Sequence, residues 1–183
     1  MWILAQTILT VLAADFVSGL VHWMEDTFWD EDTPVVGAWI VRPNALHHEN
    51  GAAFLKNSWL QSSWDLLALA ALVILAAAAV GLLGWQVWLF AAIGANANQI
   101  HKWAHMPAPR VPVAVRWLQR ARVLQSFEHH AWHHRLDKNS HYCVLTNVLN
   151  PVLDTTRFWR LLEMIFVPLF GTRRQDLRSM LKA

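Results

Sequence analysis

Ten histidines occur in the 183 residues, most of them in groups whose spacing suits metal chemistry. His47 and His48 are adjacent, His101 and His105 are four apart, and His129, His130, His133 and His134 form an HHxxHH block. His22 stands alone behind a long apolar run, and only His141 looks casual. An i, i+4 pair on a helix places two imidazoles on one face. HHxxHH supplies two such pairs on neighbouring stripes, so four ring nitrogens can converge on one volume. Neutral imidazole is the commonest biological metal ligand and suits iron, zinc, copper and nickel. Up to nine converging imidazoles exceed what one ion can coordinate, which predicts two metals.

Such residues need elements to bring them together, and the apolar pattern indicates helices in a membrane. Residues 2–24 are apolar apart from Asp15 and His22 and match the roughly 20 residues of a spanning helix. Residues 25–63 read as a polar connection with an acidic start at Glu25, Asp26, Asp30, Glu31 and Asp32, taken as a solvated loop. The stretch 64–105 is too long for one span, so it reads as a helical hairpin, 65–82 and 85–105, turning at Gly81 and Gly84. Trp2, Trp23, Trp64, Trp85, Trp88 and Trp103 then fall near span ends, as an interfacial belt would. PAPRVP (107–112) stops the third helix. Residues 113–126 and 156–170 read as amphipathic helices lying on the membrane, with Pro168 arguing against a span in the second. The expected fold is all-α: one integral membrane domain over 1–183 with about three transmembrane helices, interfacial helices and a histidine-rich metal site.

Composition agrees. The chain is 55% apolar and 15% charged, against about 25% charged in a soluble globule. A single cysteine, Cys143, excludes a disulfide framework, a Cys-rich zinc site and a self-contained iron–sulfur cluster, and reads as a small buried apolar residue. There is no phosphate-binding glycine loop and no nucleophile elbow, so neither a nucleotide site nor a flavin site is visible, and nucleic acid is not an expected partner. With three spans, every clustered histidine meets at one membrane face. All 15 Lys and Arg residues, namely Arg42, Lys56 and those from Lys102 onward, fall on that same side, which the positive-inside rule makes cytoplasmic. In a prokaryote this is the inner membrane.

Asp15 lies seven residues before His22 on the same helical face, where it could orient the imidazole or hold a neighbouring helix. Asn98, one turn before His101, could be a weak ligand, a water holder or a helix contact. Arg116, Arg120 and Arg122 suit anionic lipid headgroups.

The motifs also carry a resemblance. HxxxH at His101/His105 and HxxHH at His130/His133/His134 resemble the histidine boxes of membrane di-iron desaturases and hydroxylases. DFVSGLVHW (15–23), RPNALHH (42–48), NQIHKWAH (98–105), HHAWHHR (129–135) and NVLNPVLDTTRFWRLLE (147–163) follow in the order seen in the Kua-type lipid desaturase family. That family includes plasmanylethanolamine desaturases and the chloroplast phosphatidylglycerol desaturase of plants. The resemblance implies two iron ions that activate O₂ and remove hydrogen from an alkyl-ether or acyl chain of a phospholipid. It places the ligand role on His22, His47, His48, His101, His105, His130, His133 and His134, and His129 joins them through its place in the block. It also implies an external electron donor, ferredoxin or a cytochrome b5-like protein. A hydroxylase on the same centre, a zinc-dependent membrane hydrolase and a non-enzymatic metal- or heme-binding membrane protein are the alternatives.

Overall fold

A computed structural model describes residues 1–135 and 139–181, and its elements are helices, with no strand among the described residues. The first helix, α1 (Trp2–Thr27), divides into two halves. Its N-terminal half exposes Trp2, Ile3, Leu4, Ile8 and Leu9, while its C-terminal half buries Asp15, Gly19, His22, Trp23 and Asp26. Thr7 and Thr10 return their hydroxyls to the carbonyls of Ile3 and Gln6, so neither hydroxyl is left without an acceptor on this apolar stretch.

A short π-helical turn, Gly37–Val41, leads into α2 (Arg42–Glu49) and α3 (Gly51–Phe54). The next helix, α4 (Trp59–Ala79), opens with a capping box in which Ser58 and Gln61 satisfy one another's backbone donors. It ends where Gly81 takes φ +72, a left-handed geometry that glycine adopts without steric cost. The returning helix α5 (Trp85–Ala95) packs against both α1 and α4.

α1 and α4 are long and apolar enough to cross a membrane. The third expected span, 85–105, is not one helix. It breaks at Asn96 into α5 and α6 (Ala97–Ala104). Asn96 donates its side-chain amide to the Ala92 carbonyl and accepts from the Trp59 indole at 3.1 Å, a local competition of side chain with backbone that turns the chain. At 1.5 Å per residue the 11 residues of α5 span about 16 Å, roughly half the hydrocarbon thickness, so a crossing there needs α6 as well.

The remaining elements gather at the end of the bundle where α1 and α6 finish and α4 begins: α7 (Val113–Arg120), α8 (Phe127–His130), α9 (Leu149–Thr155) and α10 (Phe158–Phe170). The interfacial stretch expected over 113–126 is helical only to Arg120, and the chain then turns through Arg122 at φ +60. α10 exposes Leu161, Met164, Ile165 and Leu169 along one stripe and buries Trp159, Glu163 and Val167. Trp23 is no belt residue: it is 3% exposed and stacks on Trp159 at 6.2 Å in a cluster with Tyr142 and Cys143. Cys143 is buried and free, as expected.

Residues Tyr142–Thr146 run through the interior without regular structure. Side chains satisfy their backbone instead. Asp15 accepts from Leu145 N at 2.9 Å, Ser18 accepts from Val144 N, and Asn150 accepts from Cys143 N, while Gln125 donates to Cys143 O. α1 can come this close because of Gly19, where a Cβ would stand 2.6 Å from Cys143 Sγ.

Candidate metal centre

Nine side chains converge where these elements meet, and they sort into two groups. The first holds His47, His101, His105, His130 and His134; the second holds His22, Asp26, His48 and His133. The histidine doublets explain the division. Neighbouring residues on a helix or tight turn point in different directions, so His47 and His134 enter the first group while His48 and His133 enter the second. His101 and His105 at the end of α6, with His130, complete the first set, and His22 and Asp26 of α1 complete the second.

In the first group His130 Nε2 lies 2.9 Å from His101 Nε2, 3.0 Å from His105 Nε2 and 2.9 Å from His134 Nε2. One ring nitrogen carries at most one proton and cannot hydrogen-bond to three others at once. Two nitrogens bound at right angles to one ion with bonds of about 2.0–2.1 Å stand about 3 Å apart. The observed spacing therefore fits a shared cation, and His47 Nε2, buried with no hydrogen-bond partner, fits it too. Burial, and then the neighbouring imidazoles, hold His130 and His47 well below the ordinary histidine range, and the same causes push His134 down to about 2. The rings are neutral and their lone pairs available.

In the second group His22 Nδ1 faces the Tyr142 carbonyl at 3.2 Å, and His133 Nδ1 faces that of Ser140 at 2.7 Å. A proton on each Nδ1 donates to that carbonyl and leaves Nε2 free to bind, the usual device for orienting a metal-binding imidazole.

Not every expected site residue joins the centre. The HHxxHH block is helical only through His130, and the chain then turns, so His129 faces the other way. Its Nε2 lies 3.2 Å from Asn150 Nδ2 and its ring 5.0 Å from that of His141, outside both groups. Asp15 makes no contact with His22; its carboxylate holds Leu145 and Thr146. Asn98 serves as a helix contact, donating to the Ser62 carbonyl on α4. Arg120 and Arg122 are exposed beyond the site, with Arg120 over the Trp117 ring, and Arg116 is half-buried. His141 is not casual: it takes φ +58 and pairs with Asp154 at 2.8 Å.

Sequence reasoning missed Asp26 and Asn44. The acidic run is no solvated loop at its start, because α1 continues to Thr27 and buries Asp26 among three histidines. The signal was present in the spacing: Asp26 follows His22 by four residues, and Asn44 precedes His48 by four.

A cavity of about 350 Å³ opens from His22, His47 and His101 and continues between α1, α4 and α5 past Ala14, Leu69, Val73 and Phe90. It joins the histidines to the apolar interior of the bundle.

The lipid desaturase domain matches residues 11–176 of the chain. Among curated proteins, plasmanylethanolamine desaturase of Myxococcus xanthus is 33% identical over 96% of this chain and 65% of its own length. Plasmanylethanolamine desaturase 1 of Mus musculus is 33% identical over 88% of this chain and 64% of its own length. The chloroplastic fatty acid desaturase 4 of Arabidopsis thaliana is 32% identical over 88% and 51%. The chain thus spans less than two thirds of the length of each of these relatives. No solved structure matches it. A domain match across nearly the whole chain places it in the lipid desaturase family.

Proposed function

We propose that this chain is an O₂-dependent lipid desaturase that holds two iron ions in the two donor groups and places a double bond in an alkyl-ether or acyl chain of a phospholipid. The observation that carries the reading is the cavity, which connects buried donors able to hold a metal with a lumen suited to a hydrocarbon chain. An apolar lumen favours a hydrocarbon chain by about 0.8 kcal/mol per buried methylene, so part of the binding energy fixes which carbon lies beside the histidines.

Bound iron would supply O₂ reduction and hydrogen removal. The chain supplies the rest. His22, His47, His48, His101, His105, His130, His133 and His134 hold the ions, and Tyr142 and Ser140 set ring orientation through their carbonyls. Ala14, Leu69, Val73 and Phe90 exclude water from the chain path. Arg116, Arg120 and Arg122 meet lipid phosphates at the membrane surface, each for about 1 kcal/mol. The sequence contains no motif for a redox cofactor able to store the two electrons the reaction needs. A separate donor, ferredoxin or a cytochrome b5-like protein, supplies them.

The test is expression in a lipid desaturase-deficient host with lipid analysis and metal analysis of the purified protein. The expected result is a new unsaturated phospholipid that requires O₂, together with two iron ions per chain. Stoichiometric zinc, or product formed without O₂, would overturn the reading. Purified chain given O₂ and lipid alone should stop within one turnover, and sustained turnover would remove the need for a donor.

A further inference from the structure

The two donor groups differ in kind. The first contains only imidazoles, whereas the second contains a carboxylate among three imidazoles. A carboxylate beside histidines could simply be the counterion of a protonated ring, but the hydrogen bonds here argue against that. His22 and His133 direct Nδ1 at backbone carbonyls, so in their neutral form each turns an Nε2 lone pair toward Asp26. Asp26 Oδ2 stands 3.8 Å from His22 Nε2 and 3.4 Å from His133 Nε2, and Oδ1 stands 3.3 Å from His48 Nε2. At Oδ2, acceptor then faces acceptor. Both Asp26 Oδ2 and His133 Nε2 are buried without a hydrogen-bond partner. Such an arrangement is repulsive until a cation lies between the groups.

Asp26 is also held in place. Asn44 Nδ2 donates to Oδ1 at 2.8 Å. From the segment after α10, Arg173 donates from Nε to the Asp26 carbonyl at 3.1 Å and brings a guanidinium nitrogen to 3.8 Å from Oδ1. That segment is itself fastened to the end of α1, with Arg173 N and Thr172 Oγ1 both donating to Thr27 O. The carboxylate is oriented from two sides, while Oδ2 remains directed at the imidazoles.

We infer that the centre is chemically asymmetric: Asp26 is an anionic ligand of the second metal position, oriented by Asn44 and Arg173, and the first position is ligated by imidazole alone. This rests on the two-metal reading above. Carboxylate oxygen and imidazole nitrogen present different ligand fields to the same ion, so the two positions are distinguishable without any turnover.

The experiment loads the purified full chain in detergent or nanodiscs with ⁵⁷Fe(II) alone and measures metal content and the Mössbauer spectrum. Wild type should hold two ions per chain and show two quadrupole doublets of equal area. Asp26→Asn should hold one ion per chain and keep only the doublet of the imidazole position. Arg173→Ala should retain both positions but weaken the second by about tenfold, the low end of what loss of an outer partner costs, and Arg173→Lys should restore part of it. A single doublet in wild type overturns the inference, and so does Asp26→Asn that still binds two ions with an unchanged spectrum. Where Asp26→Asn fails to fold, Arg173→Ala decides the matter, and a second position bound as tightly as in wild type overturns the inference. Fewer than two ions in wild type would instead overturn the two-metal reading on which this depends.

Discussion

At the scale of single residues, the first donor group is a set of imidazoles held below the ordinary histidine range by burial and by one another. This has a consequence for pH. Histidine has an ordinary pKa of 6.5, and His130, His47 and His134 lie below it in the fold. Between the folded and unfolded values the unfolded chain binds more protons, so the metal-free fold is fully stabilised above 6.5 and loses stability as pH falls. Each fully buried ring costs at most about 1.4 kcal/mol per pH unit below that point. Thermal melts of metal-free protein should shift down between pH 7 and pH 5, and flat melts would contradict the neutral assignment. Replacing His133 or His134 by Ala should lower turnover by more than about 100-fold, beyond the usual cost of losing an outer partner, while membrane insertion persists. Retention of full activity in both variants would remove these rings from the site. At this scale the histidines were legible because an i, i+4 repeat is a local property. Asp26 was passed over despite its i, i+4 spacing from His22, since an acidic residue at the end of an apolar helix looks the same whether water or three rings surround it. His129 was misjudged for a related reason: the HHxxHH geometry assumed a helix that ends at His130.

Elements were legible in proportion to their regularity. Apolar length announced α1 and α4, and paired glycines announced the turn at Gly81. The break at Asn96 was hidden because nothing in the local pattern shows that its side chain will meet Trp59 across the hairpin. The polar face of α1 was open for the same reason. Spacing left Asp15 between orienting His22 and holding a neighbouring element, and its partners are the backbone and hydroxyl of a segment 130 positions away. Asp15→Ala should therefore cost about 1–3 kcal/mol by leaving a buried N–H unpaired, read as a lower melting temperature before any loss of metal. Gly19→Val should be worse tolerated than Gly19→Ala, because even the first carbon meets Cys143 Sγ at 2.6 Å. Equal stability of wild type and both Gly19 variants would show that α1 and the buried segment do not approach as described.

At the scale of the whole molecule, the histidines form one centre only if the chain between α1 and α4 and the chain after α6 share a side of the membrane. Single cysteines at Asn57 and Glu128, in a Cys143→Ala background, should label from the same side, and one at Leu82 in the hairpin turn from the other. The one-sided placement of Lys and Arg predicts that the shared side is the cytoplasmic one. Labelling of Asn57 and Glu128 from opposite sides would make a single centre impossible. The joining of α1 to the Tyr142–Thr146 segment also has a bearing on how the protein is made. α1 leaves the ribosome before that segment does, and the groups that satisfy Asp15 are synthesised 130 residues later, roughly 6–26 s at ordinary elongation rates. With α1 as a span, a carboxyl group in its middle would wait through that interval in lipid or in the insertion machinery, at a cost of about 2.5–3.5 kcal/mol on the insertion scale. Insertion of α1 as a span then requires biogenesis to tolerate a helix that is incompletely satisfied until Leu145 and Thr146 are made, so a nascent chain truncated before Thr146 should remain held at the insertion site and be degraded when released.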